Sequence, residues 1–176
     1  MKLPIHYFGD PVLRARGEPI ESITPEIIQL AHDMIETMIA NNGVGLAGPQ
    51  VGKKLRIYIF RDEWVDKDGK YQLGEPVVVI NPVLSNPSKE TETQLEGCLS
   101  LPGLHVEVER PLSLHIRYQN LKGEFVETTL KGFLARVNAH ENDHLNGTLH
   151  IDRASPKEKK QMEPVLREIK KKYAPK

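Results

Sequence analysis

His140-Glu141-Asn142-Asp143-His144-Leu145-Asn146-Gly147 is the stretch whose reading as a metal-binding helix organises the rest of the chain. From Phe133 to Leu145 the periodicity is helical, and Asn146-Gly147 is the left-handed stop that ends such a helix. Residues four apart lie one turn apart on one face, so His140 and His144 can direct two imidazole nitrogens at one metal ion. Glu141 then projects beside that ion, where a carboxylate can take a proton from metal-bound water. Two histidines on a helix by coincidence is the plain alternative, and the pattern alone leaves it open.

A catalytic ion usually has three protein ligands and one open position, so a third ligand is required. The only later histidine is His150, six residues after His144 and beyond the predicted helix stop. Cys98 is the better candidate. It sits in Glu96-Gly97-Cys98-Leu99-Ser100, where the flanking glycine lets the backbone come close and a thiolate binds borderline or soft metals strongly. A lone cysteine is otherwise read as a small buried hydrophobe; the two histidines reverse that preference. As the one cysteine, it cannot form an intrachain disulfide, so nothing points to an oxidising compartment.

Outward from these motifs, Thr24 is a plausible N-cap with Pro25 at the first helical position, and apolar residues from Ile27 to Ile39 keep helical spacing until Asn42-Gly43. Gly43 to Gly52 is too irregular for a helix and too apolar for a solvated loop, so it should thread along something buried. Arg56 to Phe60, Val77 to Ile80 and the alternating Leu112 to Tyr118 read as strands. Lys122-Gly123 before Glu124 to Thr129 predicts a hairpin and Asp68-Gly69 another turn, so antiparallel pairing is favoured. Ser155, Pro156 and Glu158 form a helix-start signature, and Pro164 predicts a kink or two short pieces after it.

The 176 residues predict a single catalytic domain over 1–176, with a basic helical tail over 154–176. Hydrophobic residues at 39% and charged ones at 27% exclude a disordered chain or a disulfide scaffold. Lys+Arg and Asp+Glu are equal at 24, which argues against the broad basic surface of a DNA-binding protein. Any basic patch is local: from Arg153 onward there are nine Lys and Arg against three Glu. No signal peptide or membrane-spanning stretch is legible, so the expectation is a soluble cytoplasmic monomer without membrane contact.

Three stretches resemble the three signature motifs of the peptide deformylases: Gly43-Val44-Gly45-Leu46-Ala47-Gly48-Pro49-Gln50, Glu96-Gly97-Cys98-Leu99-Ser100, and His140-Glu141-Asn142-Asp143-His144-Leu145. The resemblance extends from Asp10-Pro11-Val12-Leu13-Arg14 to Ile151-Asp152-Arg153. It implies an α+β fold, with antiparallel sheets packed around the metal-binding helix and a C-terminal helix, as in bacterial and organellar members with helical C-termini. It also implies removal of the N-formyl group from the formyl-methionine of newly synthesised polypeptides, with release of formate. Carried onto these positions, Cys98, His140 and His144 would hold Fe2+, for which Zn2+, Ni2+ or Co2+ can substitute. Glu141 would be the general acid/base, and the Gln50 amide with the Leu99 N–H would stabilise the oxyanion.

Val44, Gly45, Gly97 and Val137 would bind substrate. Val44 and Val137 would line a methionine pocket with Leu99, though both also suit an ordinary core, and the Gly43 to Gly45 backbone would take up the peptide as an added strand. Asp143 is read either as orienting a ligand histidine or as solvated, and Glu96 with Arg136 as a buried ion pair. Gly48, Ala139 and Asn142 depart from the common family pattern without removing a ligand, base or oxyanion donor. The competing readings are a zinc endopeptidase with an unidentified third ligand and a noncatalytic peptide or ribosome-associated module. Glu141 and Gln50 speak against the latter, since binding alone needs neither a base nor an oxyanion donor. Nascent formyl-methionyl peptides are the expected partners, with a ribosome contact through the basic tail.

Overall fold

The computed structural model describes residues 1–173 and Pro175. In chain order, a 3-10 turn (Pro11–Arg14) precedes α1 (Pro25–Ala40), β1 (Gly45–Ala47), a 3-10 turn (Gly48–Val51) and β2 (Ile57–Phe60). A hairpin of β3 (Glu63–Val65) and β4 (Tyr71–Leu73) follows, then β5 (Val77–Ser85), β6 (Thr91–Glu96), β7 (Val106–Pro111), β8 (Ser113–Gln119) and β9 (Phe125–Lys131). The chain continues through α2 (Phe133–Leu145), a 3-10 turn (His150–Arg153) and α3 (Pro156–Tyr173). Five strands form one sheet in the order β1-β2-β5-β8-β9, and the hairpins β3-β4 and β6-β7 are separate two-stranded sheets. All these pairings are antiparallel, so the fold is the α+β class expected.

The central strand β2 shows why the sheet lies between two helices. All four of its residues are buried. Successive side chains point to opposite faces of a strand, and Ile57 and Ile59 join a core with Leu30, Ala31, Met34 and Met38 of α1. Tyr58 and Phe60 join Ala135, Val137 and Leu145 of α2 on the other face. Burying each large side chain of this kind contributes roughly 1.5–3 kcal/mol. The helix α1 starts as its residues dictate, with Thr24 Oγ1 accepting from the Ile27 N–H at 3.3 Å and Pro25 in the first turn.

A third core gathers Leu101, Leu104, Val106, Val108, Leu149 and Ile151 with Met162 and Ile169 of α3. Of the two outcomes expected at Pro164, the break into two short pieces does not occur: α3 is continuous from Pro156 to Tyr173. Met162, Leu166, Ile169 and Tyr173 recur at helical spacing against this core. Lys160 and Pro164 lie on the exposed side, so the carbonyl that Pro164 leaves without a helical donor faces water. Among the described residues no helix is long and apolar enough to cross a membrane.

Candidate metal centre and active site

The helix α2 is buried almost all round, including the polar residues Arg136, Asn138, His140, Glu141, Asp143 and His144. In such a helix each polar group left without a partner costs free energy, and most of them are paired. Tyr58 donates to Asn138 Oδ1 at 2.6 Å, and Arg56 caps the last turn through the Leu145 carbonyl at 3.0 Å and Asn146 Oδ1 at 3.1 Å. Asn146 is followed by Gly147 at φ 73°, the left-handed stop expected from the sequence.

Cys98, in the loop that follows β6, meets this helix. Its Sγ and one ring nitrogen each of His140 and His144 lie within 4.8 Å of one another, and Cys98 Sγ is 3.4 Å from His144 Nε2. Donors held 2.0–2.3 Å from one tetrahedral ion stand roughly 3.3–3.6 Å apart, so the spacing suits a single ion. A thiolate with two imidazoles suits zinc, iron, nickel or cobalt better than magnesium or calcium. Burial opposes a proton on His140, yet its bonds to Cys98 and Glu96 outweigh burial and raise its affinity well above the ordinary value. His144 shifts the other way: burial and the neighbouring His140 lower its affinity for a proton well below the ordinary value. His150 is not part of the cluster: its Nε2 faces the Leu104 carbonyl at 3.4 Å and its ring packs edgewise on His140 at 5.7 Å.

Glu96, the last residue of β6, orients the first histidine. Its carboxylate lies 2.8 Å from His140 Nδ1 and accepts from Arg110 Nε and Nη2 at 2.9 Å each and from Arg136 Nη1 at 2.7 Å. Burial pushes its acidity down, and the bonds from Arg110 and His140 more than reverse that, holding the carboxyl well below the usual carboxylate range. The expected Glu96–Arg136 pair is therefore present. Neither reading of Asp143 holds as stated: it makes no direct bond to a histidine of the cluster, bonding to Arg110 and Arg153, and it is buried rather than solvated. Arg110 was not legible as a site residue, although Val106-Glu107-Val108-Glu109-Arg110 alternates and puts it on the buried face of β7.

Glu141 is 3% exposed, and its Oε1 has no hydrogen-bond partner among the described residues. Burial pushes its carboxyl up to about 7, against the pull of His140. It leans on β1, where a Cβ on Gly45 would overlap its carboxylate. The 3-10 turn after β1 carries Gln50, which is 1% exposed. The Ala47 N–H donates to Gln50 Oε1 at 2.9 Å, which turns the amide nitrogen toward Ser100 Oγ at 3.1 Å and Cys98 Sγ at 3.6 Å. The segment Gly43 to Gly52 does thread through the interior, with Leu46 to Val51 all buried.

A cleft of about 570 Å³ opens over these groups, and Val44, Gly45, Gly97, Leu99 and Val137 all line it. Val137 is also 4% exposed core, so both readings of it apply. Phe133 and Leu95 line the cleft too and were missed; the aromatic start of a helix and an apolar residue in a polar strand carry no separate signal.

The family model for polypeptide deformylase matches residues 2–160. A peptide deformylase of Thermotoga petrophila is 47% identical over 153 residues, 86% of this chain and 87% of that protein. The crystal structure of peptide deformylase from Thermotoga maritima superposes with a TM-score of 0.80 at 45% identity, covering 89% of this chain and 99% of that one. That of Ehrlichia chaffeensis gives 0.88 at 34% identity, covering 98% and 97%. With its fold, its Cys-His-His cluster and this likeness in agreement, the chain belongs to the peptide deformylase family of metal-dependent hydrolases.

Proposed function

We propose that this chain removes the formyl group from the N-terminal formyl-methionine of newly made polypeptides, releasing formate. The observation that carries the proposal is the convergence of the three-donor cluster, the buried Glu141 carboxylate and the fixed Gln50 amide on one cleft. Cys98, His140 and His144 would hold the ion, proposed to be Fe2+, with Zn2+, Ni2+ or Co2+ able to replace it. Bound there, the ion supplies Lewis acidity that makes water a nucleophile near neutral pH. Glu141 takes the proton that this water loses as its oxygen bonds to the formyl carbon. The Gln50 amide and the Leu99 N–H donate to the formyl oxygen as it gains charge. Glu141 then delivers the proton to the amine nitrogen, the C–N bond breaks, and formate and the free N-terminus leave. A carboxyl poised near 7 suits both transfers.

Val44, Leu99 and Val137 would hold the methionine side chain, with Gly97 close to the peptide backbone. The edge strand β1, paired only with β2 in its sheet, supports uptake of the peptide as an added strand through the Gly43 to Gly45 backbone. A cysteine in the cluster favours this reading over the zinc endopeptidase. The test is formate release from a formyl-Met-Ala-Ser peptide with metal analysis on the same sample, alongside Cys98→Ala. Stoichiometric metal and turnover in the parent, both lost in the variant, are expected. No formate from an anaerobic, iron-loaded sample would refute the proposal.

The enzyme is further proposed to work as a cytoplasmic monomer that meets the ribosome through α3. Lys157, Lys159, Lys160, Lys171 and Lys172 are exposed on that helix. Its inner face is core, so truncation would unfold rather than test. Reversing Lys159, Lys160 and Lys171 to Glu should weaken ribosome cosedimentation at low salt with activity on short peptides retained. Unchanged cosedimentation would remove the contact.

A further inference from the structure

An unbroken run of charged side chains joins the surface to His140. Arg153, in the turn that leads into α3, donates from Nε and Nη2 to the two oxygens of Asp143 at 2.6 and 2.8 Å. Arg110 donates from Nη1 to Asp143 Oδ2 at 2.8 Å and uses Nε and Nη2 on Glu96. Glu96 in turn meets His140 Nδ1. Side-chain exposure falls from 43% at Arg153 to 11% at Asp143 and 3% at Arg110, so the run has one solvent end.

Each junction restricts rotation. All three guanidinium nitrogens of Arg110 are engaged, which fixes its plane between the two carboxylates. Without Arg153, Asp143 would keep one partner, and its oxygens could turn toward water at the exposed edge. Arg110 would then lose one of the two carboxylates that fix its plane, and Glu96 would rest on a looser Arg110 and on Arg136 Nη1 at 2.7 Å. We infer that Arg153 is a positioning residue for the metal centre, fixing the His140 ring through Asp143, Arg110 and Glu96 from outside the cleft. This rests on the reading of Cys98, His140 and His144 as the metal-holding set.

A neighbouring pair provides the control. Arg14 Nη1 and Nη2 donate to Asp152 at 2.6 and 3.1 Å, with side-chain exposures of 46% and 37%. It too is a forked arginine–carboxylate contact beside this turn; Arg14 Nη1 also donates to the Gly147 carbonyl at 3.1 Å, and Asp152 passes the contact on only to the Leu149 N–H, so no side-chain run leads from it to His140.

The experiment loads cobalt into the full chain, Arg153→Met, Arg153→Lys and Arg14→Met, then follows metal release to a chelator, the visible cobalt spectrum and Tm. Losing a partner that touches a ligand directly costs about 10–100-fold in metal affinity; at three removes, Arg153→Met should speed release by about 3–10-fold and shift the cobalt bands. Arg153→Lys should recover part of this, and Arg14→Met should lower Tm with wild-type release. Wild-type release and spectrum in Arg153→Met overturn the inference. So does equal acceleration in Arg14→Met, which would show general loosening. A wild-type chain that binds no cobalt would instead overturn the metal reading and the inference with it.

Discussion

Replacing Gly45 with alanine probes the most crowded contact in the cleft. A Cβ at this position would stand 2.7 Å from Glu141 Cδ and 2.9 Å from its Cγ, against about 3.5–4.0 Å for unstrained carbon contacts. Something must give by about an ångström. The strand is the stiffer partner: Gly45 pairs with Phe60, Arg61 Nε donates to the Gly43 carbonyl at 2.9 Å, and the Arg61 N–H donates to the Val44 carbonyl at 2.8 Å. The Glu141 side chain therefore moves. Displacing a reacting group by about 1 Å costs roughly 100-fold in rate, comparable with losing a general base outright.

Gly45→Ala should thus lower kcat by about 100-fold or more while the three ligands keep their metal. Overpacking should cost about 1–3 kcal/mol of stability, or roughly 2–10 °C in Tm for a chain of this size. Gly43→Ala is the matched control, because its one tight contact would be with the end of the Leu99 side chain, Cδ1 at 3.0 Å, while Met38 Cγ at 3.4 Å and the Met38 carbonyl at 3.5 Å are in ordinary contact. The Leu99 end can swing aside, so kcat should hold and only KM should rise. Formate-release kinetics, metal content and Tm on the same preparations decide the matter. A metal-replete Gly45→Ala enzyme with kcat within twofold of wild type would refute the claim that Glu141 acts from where it lies. Joint loss of metal and activity would move the defect to the cluster.

Glu141→Gln keeps shape and metal and should lose at least ~100-fold in turnover; metal analysis beside formate release checks it, and wild-type turnover would assign the proton to another group. Gln50→Ala removes one preorganised donor and should cost about 100–1,000-fold, mainly in kcat; a stable, metal-replete variant with unaltered kcat would remove Gln50 from the mechanism. His150 is buried, and burial holds it down at about 4 against an ordinary 6.5, so above pH 6.5 it adds no penalty, and between 6.5 and 4 the unfolded chain binds the extra proton and stability falls as pH falls. From pH 7 to 5 the group should remove about 2 kcal/mol, which urea unfolding should find in wild type and not in His150→Phe; equal losses in both would refute it.

The helices were legible because each carries its own boundaries. Thr24-Pro25 and Asn146-Gly147 act within one turn of chain, and both act in the structure as their chemistry dictates. Of the sheet, β2 and β5 declared themselves by continuous apolar runs and β8 by alternation. The hairpin of β6 and β7 was not legible. Thr91 to Leu95 are exposed on both faces, so no period marks them, and in β7 the third inward residue is an arginine. The break weighed at Pro164 does not form for a related reason: a lost helical bond matters little where the bereft carbonyl meets water and the opposite face is held by Met162 and Ile169.

The site divides along the same line. The gathering of Cys98, His140 and His144 was legible because the two histidines share one face of one helix, and their need for a third donor picked out the one cysteine. The groups that position them were misassigned, since the carboxylate on His140 Nδ1 belongs to Glu96, 44 residues away, while the nearby Asp143 is engaged elsewhere. A ring aimed from a helix at an ion presents its other nitrogen to whatever layer packs opposite, and only tertiary structure says which layer that is. The charges then account for one another. Asp143 is matched by Arg110 and Glu96 by Arg136, two arginines that are themselves buried. Once those pairs are set aside, the Glu141 carboxyl stands at the cleft with no hydrogen-bond partner on its Oε1 among the described residues, close to the donor atoms of Cys98, His140 and His144. Burial drives Glu141 toward neutrality at about 7, so the carboxylate proposed to accept a proton is already close to the point of exchanging one.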